Sequence, residues 1–202
     1  MSDQPVSDVV EEDVDRRTAI LLAVCRVIAR DGVDGLRMAA VAREAGVSSA
    51  LLHYHFATRE ELVRHAFVLQ DQLATDEAAR RIAGVRDPLE RIRRLLAEQL
   101  SDAPEIRDGW ILWSEMQRLA IFHEDLRDAV VDRSLRWVGM VAELIAEAQA
   151  AGRIDASIDA AEAALRLTVL VDGLGEHLLI GSVPRAEAQR LLGRVFAEVL
   201  GA

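Results

Sequence analysis

Residues 38–52 read Met-Ala-Ala-Val-Ala-Arg-Glu-Ala-Gly-Val-Ser-Ser-Ala-Leu-Leu, and residues 53–62 continue His-Tyr-His-Phe-Ala-Thr-Arg-Glu-Glu-Leu. The chemistry on offer here is hydrogen-bond donation to a polyanion. Arg37, Ser48, Ser49, His53, Tyr54, His55 and Arg59 carry N–H and O–H groups suited to phosphate oxygens and base edges. Ala50 and Leu51 are candidates for a thymine methyl. The remaining residues have the types needed to position these groups. Gly46 supplies left-handed backbone for a tight turn. Ala42 is small where two helices must cross, and Val41, Ala45, Val47 and Leu52 seal the contact. Ser48 is placed to cap the second helix. The spacing therefore predicts a helix-turn-helix. With Leu52 and Phe56 facing inward, Ser49, Ala50, His53 and Tyr54 face outward, and small residues at the helix start let its backbone approach the bases. His53 and His55 diverge by about 200° on a helix, so they do not chelate one ion and no metal site is expected. Arg59 sits in a first helical turn, where a cation opposes the macrodipole. A phosphate partner would offset that.

The charge distribution agrees. The 202-residue chain has a net charge of −10. Residues 1–15 carry six acids and no base, and residues 66–202 carry sixteen Arg against twenty-three acids. Residues 16–65 carry eight Arg against five acids, so the positive surplus is confined to this segment. A small basic module on an acidic body points one face at a polyanion.

The pattern is helical along the rest of the chain. Residues 1–12 lack an apolar period and read as a disordered acidic tail. Ile20, Val24, Val27 and Ile28 recur at helical spacing, with Gly32 as the stop. Helices over about 38–45 and 48–55 flank Gly46. Thr58 and Glu61 form a capping box opening a helix to about Ile82. Asp87-Pro88 opens a fifth helix to about Ser101, and Pro104-Glu105 a sixth to about Phe122. A seventh runs from His123-Glu124 to before Gly152, an eighth from Asp159 to Gly181, and a ninth from Pro184 to Leu200. No segment alternates over a strand length. The expected fold is all-α with about nine helices, divided into a tail (1–12), a three-helix DNA-binding domain (13–57) and an effector-binding and dimerisation bundle (58–202).

In that bundle, Trp110, Trp113 and Gln117 share one face of the sixth helix, with Met116 beside them. Together with Trp137, Asp172 and His177 they are candidates to line an apolar effector pocket with a few polar groups. Trp beside an acid suits a cation. Asp172 is the strongest lead, because a carboxylate inside an apolar run needs a partner or a ligand. The eighth helix is apolar nearly all round, which an outer helix of a monomer should not be. A two-fold homodimer is therefore expected through Leu170, Gly173, Leu174, Gly175 and Leu178, with Leu192, Val195 and Phe196 of the ninth helix.

Residues 52–62 resemble the end of the recognition helix and the start of the fourth helix in TetR-family repressors: a His-rich or aromatic turn, then Phe, then two residues, then a basic residue. The resemblance extends over 16–65, and helix count and chain length match over nearly the whole chain. The sequence departs from the family pattern at Arg37, where Thr or Ser usually caps the second helix. It departs also at His53 for the usual Tyr, at Arg59 for the usual Lys, and at Ala50, where Gly or Thr is frequent. The C-terminal half is similar to the choline-type repressor subgroup at Trp110-Ile111-Leu112-Trp113, Leu126-Arg127, Ala151-Gly152-Arg153-Ile154 and Leu170-Val171-Asp172-Gly173-Leu174. The resemblance implies a repressor released from a palindromic double-stranded DNA operator by a small-molecule effector.

Other classes fare worse. One Cys excludes a disulfide framework. No Gly-rich phosphate loop, nucleophile motif or paired Glu-x-x-His is present, so neither an enzyme nor a cofactor is expected. No signal peptide or membrane span is evident, which makes a cytoplasmic location the default. The competing readings are a helical-bundle protein-interaction module and a ligand-binding protein that does not bind DNA.

Overall fold

The computed structural model of the chain describes residues 6–201. Among them are nine helices and no strand: α1 (Val6–Gly35), α2 (Met38–Ala45), α3 (Ser49–His55), α4 (Arg59–Ile82), α5 (Pro88–Glu98), α6 (Pro104–Ala120), α7 (Glu124–Ala150), α8 (Ala160–Leu179) and α9 (Arg185–Leu200). The tail expected over 1–12 lies outside the described residues at 1–5. From Val6 the chain is helical, which corrects that expectation.

The helix ends follow local chemistry. Gly46 takes left-handed backbone (φ 68°), and the Val47 N–H reaches the Ala42 carbonyl at 2.9 Å, closing α2 before the turn. Ser48 Oγ accepts from the Leu51 N–H at 3.1 Å, and Thr58 Oγ1 from the Glu61 N–H at 3.1 Å. Glu61 reaches back to the Ala57 N–H rather than to that of Thr58. Asp87 and Asp159 cap α5 and α8. α5 ends three residues and α6 two residues earlier than expected. The N–H groups of Ser101 and Phe122 bond to carbonyls three residues back, so the final turns tighten out of α-geometry.

Two cores hold the bundle. The first joins Ile20, Val24, Val27 and Ile28 of α1 to Leu52, Phe56, Leu62 and Phe67, and takes in Leu112, Trp113 and Met116 of α6. It runs uninterrupted across residues 57 and 58, so α4 and α6 are packed directly onto the head. The second joins α5 and the end of α4 to α7, α8 and α9 through Ile92, Leu96, Ile145, Leu167, Val171, Leu192 and Phe196. Trp110 packs against both. Its indole N–H donates to the Gln99 carbonyl at 2.8 Å, and its ring lies over Gly175. None of the described helices is long and apolar enough to cross a membrane.

Candidate functional site

α3 is seated by Leu52 and Phe56, both fully buried. Arg17 of α1 lies over the Phe56 ring, 5.0 Å from its centroid. α2 is tied to α1 by Arg26 and Arg30, which both pair with Glu44. This frame leaves Ser48, Ser49, Ala50, His53 and Tyr54 on the solvent side, with Tyr54 77% exposed. Arg37 is exposed at the N-terminus of α2, where its side chain makes no capping bond. His55 is half-buried, its ring edge-on to Tyr54 and tilted on Phe56, so it supports the face more than it extends it.

Arg59 is engaged within the chain. Its Nε donates to the Leu36 carbonyl at 3.2 Å and its terminal nitrogen to the Val33 carbonyl, closing the last turn of α1 after the kink at Gly32. Charge-assisted bonds of this kind are worth about 1.5–3 kcal/mol each. Arg59→Ala is therefore expected to lower thermal stability while leaving the slope of log affinity against log salt unchanged in a DNA titration. A slope reduced by about one would restore the phosphate role.

The second site is a cleft of about 820 Å³ between α6, α7 and α8. Trp113, Ser114, Gln117, Val130, Ser134 and Asp172 form its walls, with Ile121, Val169 and Gly173 at its rim. Trp113 also lines an inner cavity of about 70 Å³, shared with Phe67, Asp71, Trp110 and Arg133. The Trp113 and Phe67 rings stack with centroids 6.1 Å apart, and the Arg133 guanidinium lies 3.8 Å over the Trp113 ring. Asp71 is buried between Arg133 (3.1 Å) and Arg136 (2.6 Å). Burial pulls the Arg133 guanidinium below its ordinary pKa, against the opposing pull of Asp71 and Asp172.

Asp172 behaves as the apolar run implied. Burial raises its pKa from 3.8 to about 6, opposed by Arg133 and by the Trp113 indole N–H. That N–H is buried and does not reach hydrogen-bond geometry with any acceptor. Of the expected effector residues, Trp113, Gln117 and Asp172 meet in the outer cleft and Trp110 lies on the inner cavity. The other three lie elsewhere. Met116 is fully buried in the first core, and Trp137 packs against the second. His177 is exposed and bonds Ser182 at 2.7 Å, beyond the cleft. Arg133 and Asp71 were missed. Nothing local marks them, since each looks like a charged residue on an ordinary helix surface.

The expected dimer set divides in the same way. Leu174, Gly175, Leu192 and Phe196 are buried within the chain. Gly173 is exposed, and Leu170, Leu178 and Val195 are half-buried. The outer face of α8 shows Leu165 and Val169, with Ile180 just past its C-terminal end, at 51, 60 and 68% exposure.

A three-helix head with a solvent-facing recognition helix, packed on a helical bundle with its own cleft, defines a DNA-binding transcriptional regulator. Comparison with known proteins gives the family. Residues 20–66 match the profile of bacterial regulatory proteins of the tetR family, and residues 88–201 that of the BetI-type transcriptional repressor C-terminal domain. The HTH-type transcriptional regulator PksA of Bacillus subtilis is 31% identical over 170 residues, covering 83% of this chain and 80% of that protein. The regulator BetI of Agrobacterium fabrum is 32% identical, covering 84% and 79%. A putative TetR-family regulator from Rhodococcus sp. superimposes with a TM-score of 0.83 at 33% identity, covering 93% of this chain and 99% of that one. A putative regulator from Saccharomonospora viridis, solved in complex with choline, gives 0.82 at 31% identity, covering 92% and 96%. The chain belongs to the TetR family of transcriptional regulators, with a C-terminal domain of the BetI type.

Proposed function

We propose that the protein is a homodimeric repressor that binds a palindromic operator and leaves it when a small molecule carrying a positive group enters the cleft at Trp113, Gln117 and Asp172. The observation that carries this is the α3 face. Ser49, Ala50, His53 and Tyr54 project from a fully seated helix into solvent, a layout with no role in the packing of the chain itself. Two such faces related by a two-fold axis read two half-sites. The apolar outer face of α8, with Leu165, Val169 and Ile180 around Gly173, supports pairing through α8 and α9. The choline held by the Saccharomonospora viridis protein supports a positively charged effector. A DNA target and bacterial relatives support a cytoplasmic location.

The cleft has a physical route to the head. Phe67 belongs to α4, whose 24 residues span about 36 Å, and it stacks on Trp113 in the cleft wall. A ligand that favours one arrangement of α6 against α4 shifts the spacing of the two heads, and half-sites about 34–36 Å apart tolerate little change. Coupling of this kind is typically about 1–3 kcal/mol and is reciprocal.

The test is fluorescence anisotropy with DNA from the protein's own promoter at several salt concentrations. Binding should weaken steeply as salt rises, and Tyr54→Ala should lose roughly tenfold or more in affinity. A chain that shifts no promoter DNA at low salt would sink the proposal.

A further inference from the structure

The charges around the cleft point to a narrower ligand class than a simple cation. Most of them are already spent. Arg118 pairs with Glu115 and Asp34, Arg127 donates to the Ala120 and Ile121 carbonyls, and Glu176 accepts from Ser114. Asp71 holds Arg133 on one oxygen and Arg136 on the other.

Two groups are left over. Asp172 accepts no formed hydrogen bond and pairs with no cation at contact distance among the described residues. The field of Arg133 and the nearby Trp113 indole N–H, which stops short of hydrogen-bond geometry, both favour its charged form. Arg133 turns its Nε to Asp71, and its two terminal nitrogens meet no acceptor among the described residues, although the side chain is only 23% exposed. A half-buried carboxylate with no cation at contact distance, and a half-buried guanidinium whose terminal nitrogens are not used by its pairing with Asp71, thus stand on either side of Trp113. Asp172 is on the outer cleft and Arg133 on the inner cavity.

A monocation set on Asp172 has the Arg133 guanidinium nearby. The ring face of Trp113 that would receive its charge already carries that guanidinium at 3.8 Å. A monoanion set on Arg133 faces Asp172 in the same way. A ligand bearing both signs satisfies both groups, and desolvated charges reward such pairing and penalise its absence. The inner cavity of about 70 Å³ holds about two waters' worth of volume, enough for a carboxylate and for little more. We propose that the effector is a small zwitterion, with its cationic end at Asp172 in the outer cleft and its carboxylate at the terminal nitrogens of Arg133 in the inner cavity.

This rests on the cleft being the effector site, and the test separates the two ideas. The probes are choline and trimethylglycine, which share a quaternary ammonium head and differ in a hydroxymethyl against a carboxylate. Each is titrated into the full-length protein, read by tryptophan fluorescence and by calorimetry. Trimethylglycine is expected to bind at least tenfold more tightly than choline. Arg133→Gln should bring the two affinities within about threefold, chiefly by weakening trimethylglycine, and Asp172→Asn should weaken both. Choline binding as tightly as trimethylglycine, or a preference unchanged in Arg133→Gln, overturns the proposal. So does failure of both probes to bind a protein that still shifts its promoter DNA, a result that leaves the regulator reading intact. Failure to shift DNA while trimethylglycine binds in the predicted order would do the reverse. The wild-type comparison decides whether or not the variant folds.

Discussion

Replacing Gly175 with alanine is expected to lower the unfolding free energy by about 1–3 kcal/mol, the usual cost of forcing an extra methyl into a packed core. For a chain of this size that is a fall in Tm of roughly 3–10 °C. The added Cβ would lie 2.5 Å from Cζ2 and 2.6 Å from Cδ2 of Trp110, well inside van der Waals contact. The indole cannot simply swing away, because its N–H is held by the Gln99 carbonyl at 2.8 Å. Either that bond breaks or α6 and α8 move apart. The helix-propensity gain of Ala over Gly, about 1 kcal/mol, offsets only part of the cost. Gly173→Ala is the internal control. A methyl there meets nothing within 4 Å, so within one protomer the change should be neutral or slightly stabilising. Chemical unfolding of both variants, with their oligomeric state measured alongside, checks the pair. A Gly175→Ala protein as stable as the wild type but monomeric would return Gly175 to the dimer interface, where its place in the sequence had suggested it belonged.

That contrast shows where the sequence was readable. The turn at Gly46, the caps at Ser48, Thr58, Asp87 and Asp159, and the outward set of α3 are all decided within four or five residues, and the structure has them as expected. α8 was harder because it is apolar on both faces. Periodicity cannot tell the side that meets Trp110 and α9 from the side that meets solvent, so Gly175 and Gly173 looked equivalent. α9 was ambiguous for a related reason. Leu192 and Phe196 form the only wide apolar stripe on the helix, and that stripe closes the chain's own second core. The cleft between α6, α7 and α8 was half legible. Trp113, Gln117 and Asp172 declared themselves as aromatic, amide and acid in an apolar setting. Asp71 and Arg133 lie on helices far apart in sequence, each among other polar residues, and only the packing of α4 against α7 brings them together. Arg59 was read correctly as a cation needing a partner, but the partner is the end of α1.

Asp172 carries the other large expected effect. Its folded pKa is raised from 3.8 to about 6, chiefly by burial, so the native state favours the neutral carboxyl. Between those two values the native protein binds more protons than the unfolded chain. Stability contributed at this position therefore falls as pH rises through that window and levels off above it. At about 1.36 kcal/mol per unit, the full penalty for ionising Asp172 in place approaches about 3 kcal/mol above pH 7. Asp172→Asn keeps the shape and removes the charge. It should be more stable than the wild type by an amount that grows from about 1.5 kcal/mol at pH 5 towards that limit at pH 8. Denaturant melts of the two proteins across this range give the curve directly, and a difference that stays flat with pH would remove Asp172 from the buried set. On the proposed binding of a ligand's positive group at Asp172, the cost of keeping the aspartate is offset. Binding then favours the ionised carboxylate, releases a proton in weakly acidic buffer, and weakens as pH falls through about 6. A residue that destabilises the empty protein and is relieved by the ligand makes the filled and empty bundles differ in free energy. A ligand needs such a difference, made at its own site, to bias the spacing of two distant DNA-binding heads.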